Sequence, residues 1–240
     1  ICNRRDYKRI AHLDNFYLPG GEKAIKEPWR IAISLIYKVF KEEFNNFIPK
    51  HLNDKKYNII RTMIDRRINS PKTSSMGRLF DGISSILGLS NEISFEGEAA
   101  INLENICDKN NSESYKVEIK KDKEKFILCF DNIIKGILYD INNKDNISNI
   151  GKKFHNTIVK GTIEMALNIR EHTNINTVVI SGGVFQNEIL FKGVVDKLNK
   201  YNFNVITHKI IPCNDSGVSL GQLVIANEII KEELRGKGYV

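Results

Sequence analysis

Two short stretches near the end of the chain hold the residue types best suited to chemistry. One is "SGGVFQN" (residues 181–187), entered from the apolar β-branched run "TVVI". The other is "PCNDSG" (residues 212–217). Gly182 and Gly183 carry no Cβ, so a phosphate can approach the backbone beside Ser181. The first N–H groups of a following helix are expected to be unpaired and aimed at it, with the helix dipole in support. Asn187 is placed to touch a nucleotide or to cap that helix. The alternative is that the glycines simply make a strand-to-helix turn. Asp215 has two readings as well: a hard oxygen ligand for a phosphate-bridging divalent metal, or a helix N-cap.

A third candidate is Asp81, in "GRLFDGIS". It neighbours Phe80 and Ile83 on an inner helix face. It can serve a sugar hydroxyl, or be a buried carboxylate paired with a backbone N–H or with Arg78. Glu98, in "FEGEAA", can make similar contacts or mark a helix start favoured by the dipole. No two of His12, His51, His155, His172 and His208 stand three or four apart, so there is no helical metal pair. His155 reads as a core or surface histidine. Gly-x-Ser-x-Gly is absent, and no Cys–His arrangement stands out.

These residues need elements to hold them. The last 65 or so residues alternate strand and helix: strand 177–180, helix from Asn187 to about Tyr201, strand 204–207, helix from Ser216 to about Leu234. Such a β-α-β-α unit makes the strands parallel, joined by a right-handed crossover. The loops after both strands then face one rim, where open α/β sheets bind ligands. Upstream, the spacing predicts a short strand over 7–13 and a turn at "LPGG". A helix from about Glu27 follows, with Pro28 in its first turn, then helices over 57–68, over "MGRLFDGISSILGL" capped by Ser75 or a neighbouring hydroxyl and stopped at Gly88, and over 95–107. A polar loop, "DKNNSES", separates residues 1–107 from 108–240. Two strands, 115–119 and 126–129, flank "KKDKE". The Asn-rich "INNKDNISN" (residues 141–149) reads as a loop, and a long helix runs from Ile147 to about Arg170.

Composition sets the frame. The 240 residues are 41% hydrophobic and 27% charged, ordinary for a water-soluble chain. No apolar run approaches the roughly 18 residues of a membrane span, so no membrane partner is expected. Four cysteines without metal or disulfide spacing point to reduced thiols in the cytoplasm. The net charge of +7 comes from 36 Lys+Arg against 29 Asp+Glu scattered among one another, so nucleic acid is not an expected partner. The opening "ICNRRDYKRIAHL" has neither an initiator Met nor a signal-peptide pattern, and reads as a cut inside a longer chain.

Six stretches in order, "LPGGEKAIKEPWR", "TSSMGRLFDGISSILGL", "FEGEAAINLE", "FHNTI", "VVISGGVFQN" and "IPCNDSGVSLGQ", resemble the C-terminal part of the HypF carbamoyltransferases, maturation factors of nickel–iron hydrogenases. The resemblance implies an α/β lobe of the actin/Hsp70-like ATPase (ASKHA) type, with the parallel βαβα unit, extra helices and a first lobe upstream. It implies carbamoyl-adenylate, made from carbamoyl phosphate and ATP, as the bound nucleotide. The acceptor would be the C-terminal cysteine of HypE, a partner alongside the upstream HypF domains. The tRNA threonylcarbamoyl transferases are relatives.

Residue by residue, Gly182 and Gly183 match the family's phosphate-contacting glycines. Asp215 matches a metal-ligating aspartate, and Asp81 matches a ribose-contacting position in the tRNA-modifying relatives. Glu98 and Glu104 carry over on a looser alignment. Ser216 stands where the family has glycine. The family's paired metal histidines lie before Ile1, so this stretch alone is not expected to catalyse. The competing readings are a tRNA- or metabolite-directed carbamoyl transferase and a non-catalytic nucleotide-binding lobe.

Overall fold

The computed structural model describes residues 1–52, 56–108 and 110–236. Its centre is α2 (Pro28–Phe40), which opens with proline at its first turn. Ile31, Ala32, Ile33, Leu35 and Ile36 have no exposed surface, so this helix is buried on nearly every side. Each such Ile or Leu contributes about 1.5–3 kcal/mol by leaving water. Around α2 pack α3 (Tyr57–Asp65), α4 (Met76–Ile86) and a short α1 (Glu22–Lys26) that the periodicity does not announce. The closest approach is to α4. A Cβ on Gly82 would lie 2.6 Å from Leu35 Cδ1 and 2.9 Å from Ile31 Cγ2. Helix α4 is capped by Ser75, whose Oγ accepts from the N–H of Arg78 at 3.4 Å, and it stops before Gly88, as expected. Helix α3 ends before the expected Ile68, because Arg67 and Asn69 adopt positive φ and turn the chain.

Two small strands, β2 (Phe16–Tyr17) and β3 (Lys72–Thr73), pair antiparallel. A three-stranded sheet has the order β1 (Ala11–Leu13), β5 (Lys125–Cys129), β4 (Glu118–Asp122), with β1 parallel and β4 antiparallel to β5. Strand β4 starts three residues later than the pattern suggested, because Tyr115 has another task. Its N–H donates to Thr157 Oγ1 at 2.8 Å, and its hydroxyl donates to Asp140 Oδ2 at 2.7 Å. Asp140 lies on α6 (Asp131–Asn142), a helix missing from the expectations, which cuts the Asn-rich loop to residues 143–146.

Helix α7 (Ile147–Thr173) follows, with Asn146 as its N-cap and Asn174 in the left-handed conformation at its end. It leads to β6 (Thr177–Ile180), α8 (Glu188–Lys200), β7 (Asn204–Thr207) and α9 (Val218–Gly236). Strands β6 and β7 are parallel, in register Thr177 with Asn204 through Ile180 with Thr207. The expected βαβα unit is therefore present. Helix α8 buries Leu190, Val194 and Leu198 and packs on α7. Helices α2 with α6, and α5 (Glu98–Asn105) with α7, also pack together, so one buried core runs from Leu13 to Phe203. No helix among the described residues is long and apolar enough to cross a membrane.

Candidate functional site

Parallel pairing sends the ends of β6 and β7 to the same side, and their following loops touch. The N–H of Gly182 donates to the carbonyl of Cys213 at 2.8 Å, and His208 Nε2 lies 3.0 Å from Ser181 Oγ. Gly182 has φ 105° and ψ 149°, a conformation essentially reserved for glycine. A Cβ built there meets nothing within 4 Å, so it faces open space. A 3-10 turn, Gly183–Gln186, comes next, with the N–H of Phe185 on the Gly182 carbonyl. The N–H groups of Gly183 and Val184 reach no acceptor among the described residues. They are the donors this turn leaves for an anion.

The start of α8 is not open, contrary to expectation. Glu104, at the end of α5, accepts from the N–H groups of Glu188 and Ile189 at 2.6 and 3.2 Å. Asn187 Oδ1 accepts from the N–H of Leu190 at 2.9 Å. The positive end of α8 thus already holds a carboxylate, which is what a helix dipole favours when no ligand is nearer. The N–H groups left unpaired on this rim are therefore those of the Gly183 turn, one step ahead of α8. Of the two roles foreseen for Asn187, the structure places it in the capping one, 8% exposed.

Behind Asn187 lies a buried polar chain that the sequence reading passed over. His155 on α7 is fully buried and edge-on to Phe80 and Phe154. Its Nδ1 lies 2.8 Å from the Gly151 carbonyl and 3.3 Å from Cys107 Sγ, and its Nε2 lies 2.9 Å from Asn187 Nδ2. Burial pushes the His155 pKa down to about 4, so the ring is neutral at pH 7. Burial pushes the Cys107 thiol up to about 12, which leaves it inert as a nucleophile. The only sequence signal for this chain of contacts is a histidine beside Phe154 on an apolar helix face.

Helix α4 packs against the Gly183 turn and carries Asp81. The carboxylate is 1% exposed, with Arg78 Nε 3.1 Å from Oδ2, as one of the two readings held. That ion pair lacks hydrogen-bond geometry. Both Asp81 oxygens, Arg78 Nη1 and the nearby Ser84 Oγ are buried without a hydrogen-bond partner. Burial, opposed by Arg78 and aided by Glu96, raises the Asp81 pKa to about 6. An unsatisfied buried carboxylate of this kind suits a hydroxyl donor.

Glu98 is otherwise employed. It accepts from the N–H and hydroxyl of Ser94 at 2.6 and 2.8 Å, which holds its carboxyl below the usual range and secures the turn into α5. Asp215 opens a 3-10 turn, Asp215–Gly217, and is exposed. The cap there is Asn214, whose Oδ1 accepts from the N–H of Ser216 at 3.2 Å. The capping reading of Asp215 is thereby replaced. Among the described residues no three His, Cys, Asp or Glu side chains are grouped to hold a metal ion. One carboxylate is too few ligands, so these residues do not form a metal site by themselves.

The model of a protein family, described as "Carbamoyltransferase, Kae1-like Domain, second subdomain", matches residues 1–222. The carbamoyltransferase HypF of Synechocystis sp. is 35% identical over 234 residues, covering 91% of this chain and 30% of that protein. A crystal structure of full-length HypF in the phosphate- and nucleotide-bound form superposes with a TM-score of 0.89 at 40% identity. It covers 95% of this chain and 30% of its own. HypF of T. kodakarensis has the same fold, with a TM-score of 0.83 at 24% identity over 95% of this chain and 31% of its own. The chain thus spans less than a third of the length of these relatives. The chain therefore belongs to the HypF carbamoyltransferases, in the second subdomain of their Kae1-like domain.

Proposed function

We propose that this chain is the nucleotide-holding part of a carbamoyltransferase that uses carbamoyl-adenylate, formed from ATP and carbamoyl phosphate, in hydrogenase maturation. The acceptor is the C-terminal cysteine thiolate of HypE. The observation that carries the reading is the turn at residues 182–184, which combines open space beside Gly182 with two unspent N–H groups. A nucleotide-bound HypF structure 40% identical to this chain supports it.

In the transfer, the thiolate attacks the carbamoyl carbon and the bond to the phosphate oxygen breaks. Negative charge then grows on that oxygen. The Gly183 and Val184 N–H groups are fixed donors for such charge and need no rearrangement when it appears. Asp81 accepts a ribose hydroxyl, which sets the nucleotide's register along the rim. Glu104 keeps α8 from competing for the phosphate. Asp215, whose carboxylate makes no hydrogen bond or ion pair among the described residues, is offered as one ligand of a divalent cation whose others come from outside this chain. No step of the transfer runs through it. The four unpaired cysteines suit a reducing cytoplasm.

The test is transfer of the labelled carbamoyl group of carbamoyl phosphate, in the presence of ATP, to a HypE C-terminal peptide by the full-length protein. Wild type should label the peptide cysteine, and a folded Gly183→Val variant should not. ATP binding without labelling by wild type would favour a non-catalytic lobe instead.

A further inference from the structure

The phosphate turn is held from behind by a side chain that never reaches the rim. His155 Nδ1 faces the Gly151 carbonyl at 2.8 Å, and a carbonyl only accepts, so Nδ1 carries the proton. The Cys107 thiol donates to the Leu103 carbonyl at 3.2 Å and leaves its sulfur as a weak second acceptor for Nδ1. Nε2 is consequently bare. Asn187 Nδ2, 2.9 Å away, must donate to it. The other end of the same amide is fixed independently, because Oδ1 accepts from the Leu190 N–H. A flipped amide would lose both bonds and set two acceptors and two donors against each other. The Asn187 backbone N–H bonds the Val184 carbonyl at 3.2 Å, so the orientation of Asn187 closes the 3-10 turn from its far side.

We infer that His155 is a positioning residue for the nucleotide-binding turn, acting through Asn187. Its bare Nε2 sets the Asn187 amide, and that amide pins the junction between the 3-10 turn and α8. The inference rests on the nucleotide reading for its consequence, though not for its geometry. It separates His155 from the Phe80 and Phe154 rings around it, which fill space. What the turn needs from position 155 is an acceptor at one point.

The first test requires no substitution. In full-length protein labelled with 15N-histidine, the His155 ring should show a protonated Nδ1 and a bare Nε2. The opposite tautomer would overturn the inference. The second test uses His155→Gln, whose Oε1 can replace the Nε2 acceptor, and His155→Asn, which can only replace Nδ1. Amide exchange across residues 183–190, without nucleotide, should stay near wild type in His155→Gln and quicken in His155→Asn. ATP affinity should follow, staying within about twofold for Gln and falling about tenfold for Asn, the scale of one lost hydrogen bond. Equal exchange and equal affinity in the two variants would show a merely space-filling histidine and overturn the inference. If wild type binds no ATP while the exchange difference holds, positioning stands and the nucleotide reading falls.

Discussion

The two glycines of the turn should fail in opposite ways when substituted. Gly182 has φ 105° and ψ 149°, and a Cβ there meets nothing within 4 Å. The cost of Gly182→Ala is thus backbone strain alone, roughly 1–3 kcal/mol. For a chain of this size each kcal/mol lowers Tm by about 2–4 °C, so the drop is on the order of 2–12 °C. Gly183 lies outside the positive-φ region, and a Cβ built there would meet only the flexible end of Gln186, at 3.8 Å. A side chain there changes folding by no more than about 1 kcal/mol, because the unfolded chain also loses freedom. Yet it crowds the N–H groups offered to phosphate. Thermal unfolding and ATP titration of full-length protein separate the two effects. Gly182→Ala should be less stable, whereas Gly183→Val should be about as stable as wild type and bind ATP at least tenfold more weakly. A folded Gly183→Val that binds like wild type would refute the placement of phosphate on this turn. Full stability in Gly182→Ala would refute the backbone geometry.

Three further outcomes follow from the same contacts. Asp81 has a folded-state pKa raised from 3.8 to about 6, so the stability it adds is complete below pH 4 and is lost as pH rises through 6. Between pH 5 and 7 wild type should lose about 1 kcal/mol relative to Asp81→Asn in urea unfolding, and ATP affinity should rise over that range as the carboxylate ionises. Glu104→Gln removes a charge that accepts two N–H groups at the start of α8; it should cost about 1 kcal/mol, measured by denaturation at low salt, with the loss shrinking at high salt. Gly82→Ala forces a methyl to 2.6 Å from Leu35 and should destabilise by about 1–3 kcal/mol, with ATP affinity changing only through that loss.

Much of this arrangement was readable along the chain because local chemistry and tertiary packing agree there. Strands β6 and β7 follow the β-branched runs at 177–180 and 205–207, and Ser75, Gly88 and Pro28 mark helix ends as their own geometry dictates. What stayed hidden was set by partners distant in sequence. Tyr115 looks like a strand residue, but its bonds to Thr157 and Asp140, 42 and 25 positions away, pull it out of β4. The dipole of α8 suggests an open site for a phosphate; only the fold shows that Glu104, 84 positions earlier, already occupies it. Asp215 and Asn214 are adjacent and both able to cap, and the choice between them depends on backbone angles no pattern encodes. His155 was invisible as a site residue because a histidine on an apolar helix face looks the same whether or not its Nε2 has a partner.

Where phosphate sits on this rim is decided by a crystal structure of the full-length protein with a non-hydrolysable ATP analogue. A phosphate oxygen is expected at hydrogen-bond distance, about 2.7–3.2 Å, from the nitrogens of Gly183 and Val184, with Glu104 still on Glu188 and Ile189. A phosphate seated on the Glu188 and Ile189 nitrogens, with Glu104 displaced, would contradict it.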